Sequence, residues 1–232
     1  MNWHLYMWKF RLKSPLHVGF HKVMHFYRTR AYVPGKLLWG ALTAKLTSLL
    51  GINDYQKVGE FLKKAIRFGY LYPYVEGQFY FPKYTENGLM FGSLSLNEFE
   101  KKFISSMASA AIEPESLTAE EGMLHEVEFV NPYTLDEGKP VYLIGVLWMR
   151  EFTENKIELS RSDNKLLITY NGIRVDFKSQ LADRFQIGGE RRYGFGLLKL
   201  SEEEFKENSA GEINNFPGKW NERDGEVCIS LS

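Results

Sequence analysis

The sequence predicts an α+β protein, and two observations lead to that class. Stretches in which apolar side chains recur at every second residue, typical of strands, alternate along the chain with stretches of helical spacing. The 232 residues are 44% hydrophobic, enough for a sizeable core in one domain or in two small packed units. No apolar run approaches the roughly 20 residues of a membrane span. The N-terminus lacks a secretory signal pattern, so we expect a cytoplasmic protein without membrane contact.

The first elements are a strand and two helices. A strand at 3–12 is followed by an irregular stretch at 14–34, which lies between Pro15 and Pro34. Helical spacing begins at Gly35, with four leucines on one face, and Gly51 is a suitable stop signal. A second helical piece at 55–65 comes next.

A β-hairpin rich in aromatic residues follows the helices. Aromatic side chains recur at period two over 68–74, and Glu76-Gly77 is a tight-turn signal. Such a row is typical of a core face or a subunit interface. It could also stack nucleic-acid bases, as the sheets of RNA-recognition folds do, and both interpretations stay open.

A helix and a strand complete the first unit. The helix is predicted at 97–111, with Asn97 as its N-cap, and the strand at 125–131. The resulting order, βαββαβ, is that of the ferredoxin-like (RRM-like) arrangement. We therefore predict a ferredoxin-like unit over residues 1–131.

The second part, residues 132–232, has its own run of elements. They are a strand at 140–149, a hairpin around Asp163-Asn164, a helical stretch at 174–185, a glycine-rich loop at 188–196, a strand at 197–200 and a short strand at 226–231. This order predicts either a second, abbreviated ferredoxin-like unit or an elaboration packed on the first one.

Charge is distributed unevenly, although the whole chain is neutral. The 29 basic and 29 acidic residues cancel, but residues 1–53 contain no Asp or Glu and carry a formal charge of +8. The rest of the chain therefore carries −8. This asymmetry favours a polyanion on the basic part and a protein partner elsewhere, with internal salt bridging as the plain alternative.

The glycine-rich loop is the sharpest local signal. Its sequence, GGERRYGFG, puts four glycines in nine residues around an arginine pair. Backbone amides in such a loop can come close to phosphate oxygens, and arginines supply bidentate donors. A long β-turn without a ligand is the structural alternative.

A second motif precedes the first helix. The segment SPLHVG at 14–19 leads into a basic loop at 20–33, and Pro34-Gly35 then begins the helix. The free amides and positive dipole end of a helix start favour a phosphate.

Together these motifs resemble the RAMP superfamily of CRISPR proteins. The pattern consists of LKSPLHVG, then RAYVPGKLLWGAL, then GGERRYGFG, in family order over residues 12–200. The resemblance implies one or two ferredoxin-like units, a C-terminal glycine-rich loop and CRISPR RNA as the ligand. The second motif is similar to that of subunits of type III effector complexes.

The resemblance also implies a role and partners. Target-cutting backbone subunits place an acidic residue after the first strand, but residues 13–53 contain none. We therefore expect a non-catalytic subunit that holds the 5′ tag of the guide RNA and caps the backbone. Its partners would be a polymerase-like large subunit and the backbone subunits. The residues predicted to contact RNA are His17, His21, Lys22, Arg28, Arg30, Gly35, Lys36, Gly188, Gly189, Arg191, Arg192, Tyr193, Gly194 and Gly196.

Metal binding and catalysis are the alternatives for the histidines. His17, His21 and His25 are four residues apart, but Pro15 and Gly19 disfavour the helix that would align them for zinc. The single cysteine excludes an internal disulfide and a multi-cysteine metal site. We expect no metal and no cofactor. The enzyme alternative is a metal-independent endoribonuclease that processes CRISPR repeats with these histidines as acid and base.

Overall fold

A computed structural model describes most of the chain, and its fold is mixed α+β. The residues described are 3–109, 125–162, 165–201, 203, 205–208, 219–223 and 226–230. The helical elements are α1 (Gly35–Leu49), α2 (Tyr55–Ala65), α3 (Leu96–Phe103), a π-helical turn (Phe177–Leu181) and a 3-10 turn (Arg191–Tyr193). Within these ranges no helix is both long and apolar enough to span a bilayer.

Strands dominate the described residues. In chain order they are β1 (His4–Leu12), β2 (Gly19–Val23), β3 (Phe26–Thr29), β4 (Ile66–Val75), β5 (Gln78–Phe79), β6 (Pro82–Thr85), β7 (Gly88–Phe91), β8 (Leu94–Ser95), β9 (Ile104–Ser109), β10 (His125–Val130), β11 (Tyr142–Met149), β12 (Phe152–Glu154), β13 (Ile157–Ser162), β14 (Lys165–Tyr170), β15 (Ile173–Asp176), β16 (Arg184–Gln186), β17 (Leu197–Leu200), β18 (Lys206–Asn208), β19 (Lys219–Arg223) and β20 (Glu226–Ser230). The predicted strand at 3–12, the helices predicted from Gly35 and at 55–65, the hairpin of β4 and β5, and the strand at 197–200 are confirmed.

A central antiparallel sheet organises the molecule. Its strand order is β16-β17-β1-β11-β4-β5, and β18 also pairs with β1. The strand β11 lies between β1 and β4, pairing along its length with both. The sheet therefore combines strands from both sides of residue 131.

One face of the central sheet forms the core with the helices. Along β1, Trp8, Phe10 and Leu12 are fully buried, while the residues between them are half-buried. The buried leucines of α1, among them Leu38 and Leu42, belong to the same cluster. Burial of this kind contributes about 25 cal/mol per Å² of apolar surface, so the contact of helix and sheet fixes the position of both.

A second sheet, of order β2-β3-β10-β9, corrects two predictions. The stretch 14–34 is not irregular, because it contains the hairpin of β2 and β3. The predicted strand at 125–131 forms as β10, but it pairs with β3 and β9 rather than within the central sheet. The sequence thus predicted the strand at 125–131 but assigned it to the wrong sheet.

Two predicted helices are shorter or differently built. The helix predicted at 97–111 ends at Phe103, because the next residues form β9 and pair with β10. Its N-cap is Ser95 rather than Asn97. The helix predicted at 174–185 is wrong for most of its length, because β15, the π-helical turn and β16 occupy it. Tertiary pairing overrides local spacing in both places.

A further four-stranded meander, β12-β13-β14-β15, lies between β11 and the π-helical turn. The hairpin predicted around Asp163-Asn164 has its turn outside the described residues, although β13 and β14 pair on either side of it.

Candidate nucleic-acid interface

The glycine-rich loop packs directly on the segment that leaves β1. The amide of Gly189 donates to the carbonyl oxygen of His17 at 2.9 Å, and the amide of Gly196 donates to that of Pro15 at 2.7 Å. The Ser14 hydroxyl accepts a bond from the Leu197 amide at 2.9 Å. The structure therefore brings together two motifs that are more than 160 residues apart in sequence.

Close backbone approach explains why the loop contains glycine. Gly188 has φ +85°, and a Cβ there would lie 2.2 Å from the carbonyl oxygen of His17. Gly189 lies over the His17 ring, with 2.9 Å between the position of a Cβ and the ring Cδ2. A side chain at either position would push the loop off the segment beneath it.

His17 supports the loop from below. Its side chain is buried, and its Nδ1 donates to the carbonyl oxygen of Glu128 on β10 at 2.7 Å. The ring lies between β10 and the glycine backbone. In this position His17 fixes the loop geometry and presents little surface to a ligand.

The tip of the loop carries the exposed cations. Arg191, Arg192 and Tyr193 form the 3-10 turn, and all three are exposed. Within the described part of the chain, neither guanidinium has an ion-pair partner. These side chains line an open groove of about 500 Å³, to which Glu190 contributes the one carboxylate among its lining residues.

The loop tip is anchored by an aromatic contact. Phe195 is buried and meets Phe129 of β10 edge to face, with ring centroids 5.3 Å apart. Burial of this ring holds the turn in place next to exposed arginines. The exposed cations are therefore presented from a fixed backbone.

The β2–β3 hairpin carries further predicted residues. His21 and Lys22 are exposed on β2, and the Lys22 ammonium lies 4.8 Å from the Tyr27 ring centroid. The Arg30 guanidinium lies 4.9 Å from the Phe20 ring and donates to the Tyr32 hydroxyl at 3.3 Å. Both cations thus have aromatic neighbours.

Arg28 is placed differently from its predicted role. Its guanidinium bonds to Glu100 at 2.6 Å and to Glu128 at 3.3 Å. Burial lowers the pKa of Arg28, but the two carboxylates outweigh it and raise that pKa overall. The same Glu128 carboxylate accepts from the Thr29 amide. Two carboxylates of the protein itself therefore neutralise the charge of Arg28.

The start of α1 lies apart from the glycine-rich loop. Gly35 is buried, and a Cβ there would lie 2.3 Å from the carbonyl oxygen of Phe68 on β4. In the central sheet, β1 and β11 lie between β4 and β17, which follows the loop. Lys36 is exposed and lines a separate groove with Lys63 and Arg67. The structure does not join Gly35 and Lys36 to the loop surface.

Sequence reasoning missed Glu128, which holds the elements of this region together. It is 8% exposed and bonds through its carbonyl to His17 and through its carboxylate to Arg28 and Thr29. The available signal was a glutamate inside an otherwise apolar strand end.

In the described ranges, no group of three or more His, Cys, Asp or Glu side chains could hold a metal ion.

One family model matches most of the chain. The family model described as the RAMP superfamily matches residues 9–199. A comparison with curated protein sequences gives no significant match. One solved structure is titled "Cryo-EM structure of the Type III-B Cmr-beta bound to cognate target RNA". One of its chains is 11% identical, with a TM-score of 0.53, over 84% of this chain and 96% of that one.

A second solved structure gives a similar result. It is the Type III-B Cmr-beta bound to cognate target RNA and AMPPnP, state 1. The matching chain is 12% identical, with a TM-score of 0.51, over 90% of this chain and 64% of that one. At these identities the likeness concerns the fold.

Proposed function

Because the chain belongs to the RAMP superfamily, we propose that it is an RNA-binding subunit of a type III CRISPR effector complex. In this role it holds the 5′ tag of the guide RNA and caps the backbone of the complex. The similar fold of chains from the Type III-B Cmr-beta bound to cognate target RNA supports the assignment.

The observation that carries the proposal is the contact of the glycine-rich loop with the 14–17 segment. This contact fixes Arg191 and Arg192 on an exposed turn beside a part of the chain that lacks carboxylates. Guanidinium groups suit phosphate oxygens, because they donate charge-assisted and bidentate hydrogen bonds. We therefore propose this end of the sheet as the binding site for the RNA backbone.

We infer that the ferredoxin-like arrangement uses other segments than the sequence indicated. The strands β1, β4, β11 and β17 would be its four strands, since they are neighbours in the order β17-β1-β11-β4. The helices α1 and α2 connect the first two, and the π-helical turn precedes the last. This gives a βαββαβ order with a much reduced second helix.

The proposed partners are the polymerase-like large subunit and the backbone subunits. The acid-free first 53 residues would meet RNA, and the remainder, with its formal charge of −8, offers surface for basic protein partners. We propose that the chain itself does not cleave RNA, because His17 is buried and bonded within the protein.

The test is binding of the full-length protein to a repeat-derived tag RNA, measured by fluorescence anisotropy at several salt concentrations. The variant Arg191→Ala/Arg192→Ala should bind about tenfold more weakly and show a shallower salt dependence, because phosphate contacts release counterions. The matched control is Lys156→Ala/Arg174→Ala, which removes two exposed cations from the β12–β15 meander.

Two results would count against the proposal. One is equal binding of a scrambled RNA together with no loss in the Arg191→Ala/Arg192→Ala variant. The other is metal-independent shortening of the tag RNA during the assay, which would support the endoribonuclease alternative. Cleavage that His21→Ala abolishes would assign that activity to the β2–β3 hairpin.

A further inference from the structure

The helices α1 and α2 pack on one face of the central sheet, and the opposite face of β1, β11 and β4 carries basic and aromatic side chains. On β1, Lys9 and Arg11 alternate with the buried core residues and turn to this opposite face. Arg11 is directly across from Tyr142 of β11, and Tyr142 is directly across from Tyr74 of β4. Directly paired residues project from the same side of a sheet, so these four side chains share one surface.

Cations and rings are already in contact on this surface. The Lys9 ammonium lies 5.2 Å from the Tyr74 centroid and 4.9 Å from the Tyr142 centroid. The Arg11 guanidinium lies 4.6 Å from the Tyr133 centroid and bonds to two backbone carbonyls at 2.8 and 2.9 Å. These contacts limit the motion of the long side chains and thus preorganise the surface.

More tyrosines extend the surface along β4, whose outer edge pairs with β5 and with Val33. The ring of Tyr70 stacks on that of Tyr32, with centroids 5.4 Å apart and planes 9° from parallel. Tyr70 is 47% exposed, so one of its faces is open to a ligand. The pKa of Tyr72 is raised to about 12, mainly by burial and to a smaller extent by the neighbouring Tyr70 and Tyr32. The Tyr72 hydroxyl therefore stays neutral and does not repel an anion.

The charge of the surface has one sign. The strand positions of β1, β4 and β11 that share this face contain no Asp or Glu. The surface is also continuous with the glycine-rich loop, because Arg11 pairs with Lys199 on β17, which begins directly after the loop. Lys199 is exposed. A ligand that leaves the loop can therefore follow the sheet across β1 to the tyrosines.

We infer that this surface, the tyrosine platform (Lys9, Arg11, Tyr70, Tyr72, Tyr74 and Tyr142), is a second binding site for single-stranded RNA. The inference rests on the proposed function and extends it. Bases stack on the exposed tyrosine faces, while the two cations contact phosphates. Stacking of this kind is tolerant of sequence, so the platform holds a segment by its bases without reading it.

The test compares oligouridine with an abasic RNA of equal length, using full-length protein. Tyr70→Ala should weaken oligouridine binding about tenfold and leave binding of abasic RNA unchanged, because stacking needs a base. Tyr70→Phe is the matched control and should bind both probes like the wild type. Thermal unfolding checks that both variants fold. Ultraviolet crosslinks of oligouridine should map to the platform tyrosines.

The outcomes separate this site from the proposed function. Loss of binding in Arg191→Ala/Arg192→Ala without loss in Tyr70→Ala would overturn the platform and leave the proposed function standing. Absence of RNA binding by the wild type would overturn both. If Tyr70→Ala released partner subunits while RNA binding persisted, the face would be a protein interface and the inference would be wrong.

Discussion

Two glycines of the 188–196 loop share a backbone conformation but differ in their surroundings. Gly194 and Gly196 have φ of +86° and +76°. Apart from chain neighbours, no described atom lies within 4 Å of a Cβ built on Gly194. A Cβ on Gly196 would lie 1.8 Å from the carbonyl oxygen of Ile187. Contact as well as conformation therefore requires glycine at 196.

We expect Gly196→Ala to lower the free energy of unfolding more than Gly194→Ala does. The left-handed conformation alone costs an alanine about 1 kcal/mol, which is the expected loss at 194. At 196 the backbone must also move, and the loss should reach about 3 kcal/mol. Urea denaturation of the two variants measures the difference, and equal losses would contradict the contact seen at Ile187.

At the scale of residues, composition predicted the loop but not its surroundings. The density of four glycines around an arginine pair indicated a tight loop, but not that Gly188 and Gly189 lie against His17. The ion pairs of Arg28 were not indicated, since its partners Glu100 and Glu128 are 72 and 100 residues away. Ion pairs between residues so far apart cannot be predicted from a single sequence.

Among the elements, α3 shows where local signals are sufficient. Its N-cap is Ser95, whose hydroxyl accepts a bond from the Glu98 amide, and the Glu98 carboxylate accepts from the Ser95 amide. This serine–glutamate pair at a spacing of three is a capping box. The sequence contained that signal two residues before the predicted cap at Asn97. The end of the helix had no such signal, because pairing of β9 with β10 decides it.

The capping box gives a direct test of the helix start. Ser95→Ala should lower the free energy of unfolding by about 1 kcal/mol, because the first turn loses a partner for its free amide. Asn97→Ala, the matched control inside the first turn, should have an effect of less than about 0.5 kcal/mol. Chemical denaturation compares them. A larger loss for Asn97→Ala would move the helix start to the originally predicted position.

For the whole molecule, the α+β class was predictable but the neighbours of β1 were not. Periodicity identifies a strand and says nothing about which strand it pairs with. The strand predicted at 140–149 was assigned to the second part, and as β11 it lies between β1 and β4 of the first. It adds the buried residues Leu143 and Leu147 to the common core.

Division of the chain at residue 131 stays a prediction, and the central sheet sets an expectation for it. A fragment of residues 1–131 would lack β11, so β1 and β4 would lose their common neighbour. Both strands would then expose unpaired backbone and an apolar face. We expect this fragment to show no cooperative thermal unfolding, whereas co-expression with residues 132–232 restores the transition. Cooperative unfolding of the fragment alone would establish residues 1–131 as an independent unit, and β11 would then be an addition to a sheet that forms without it.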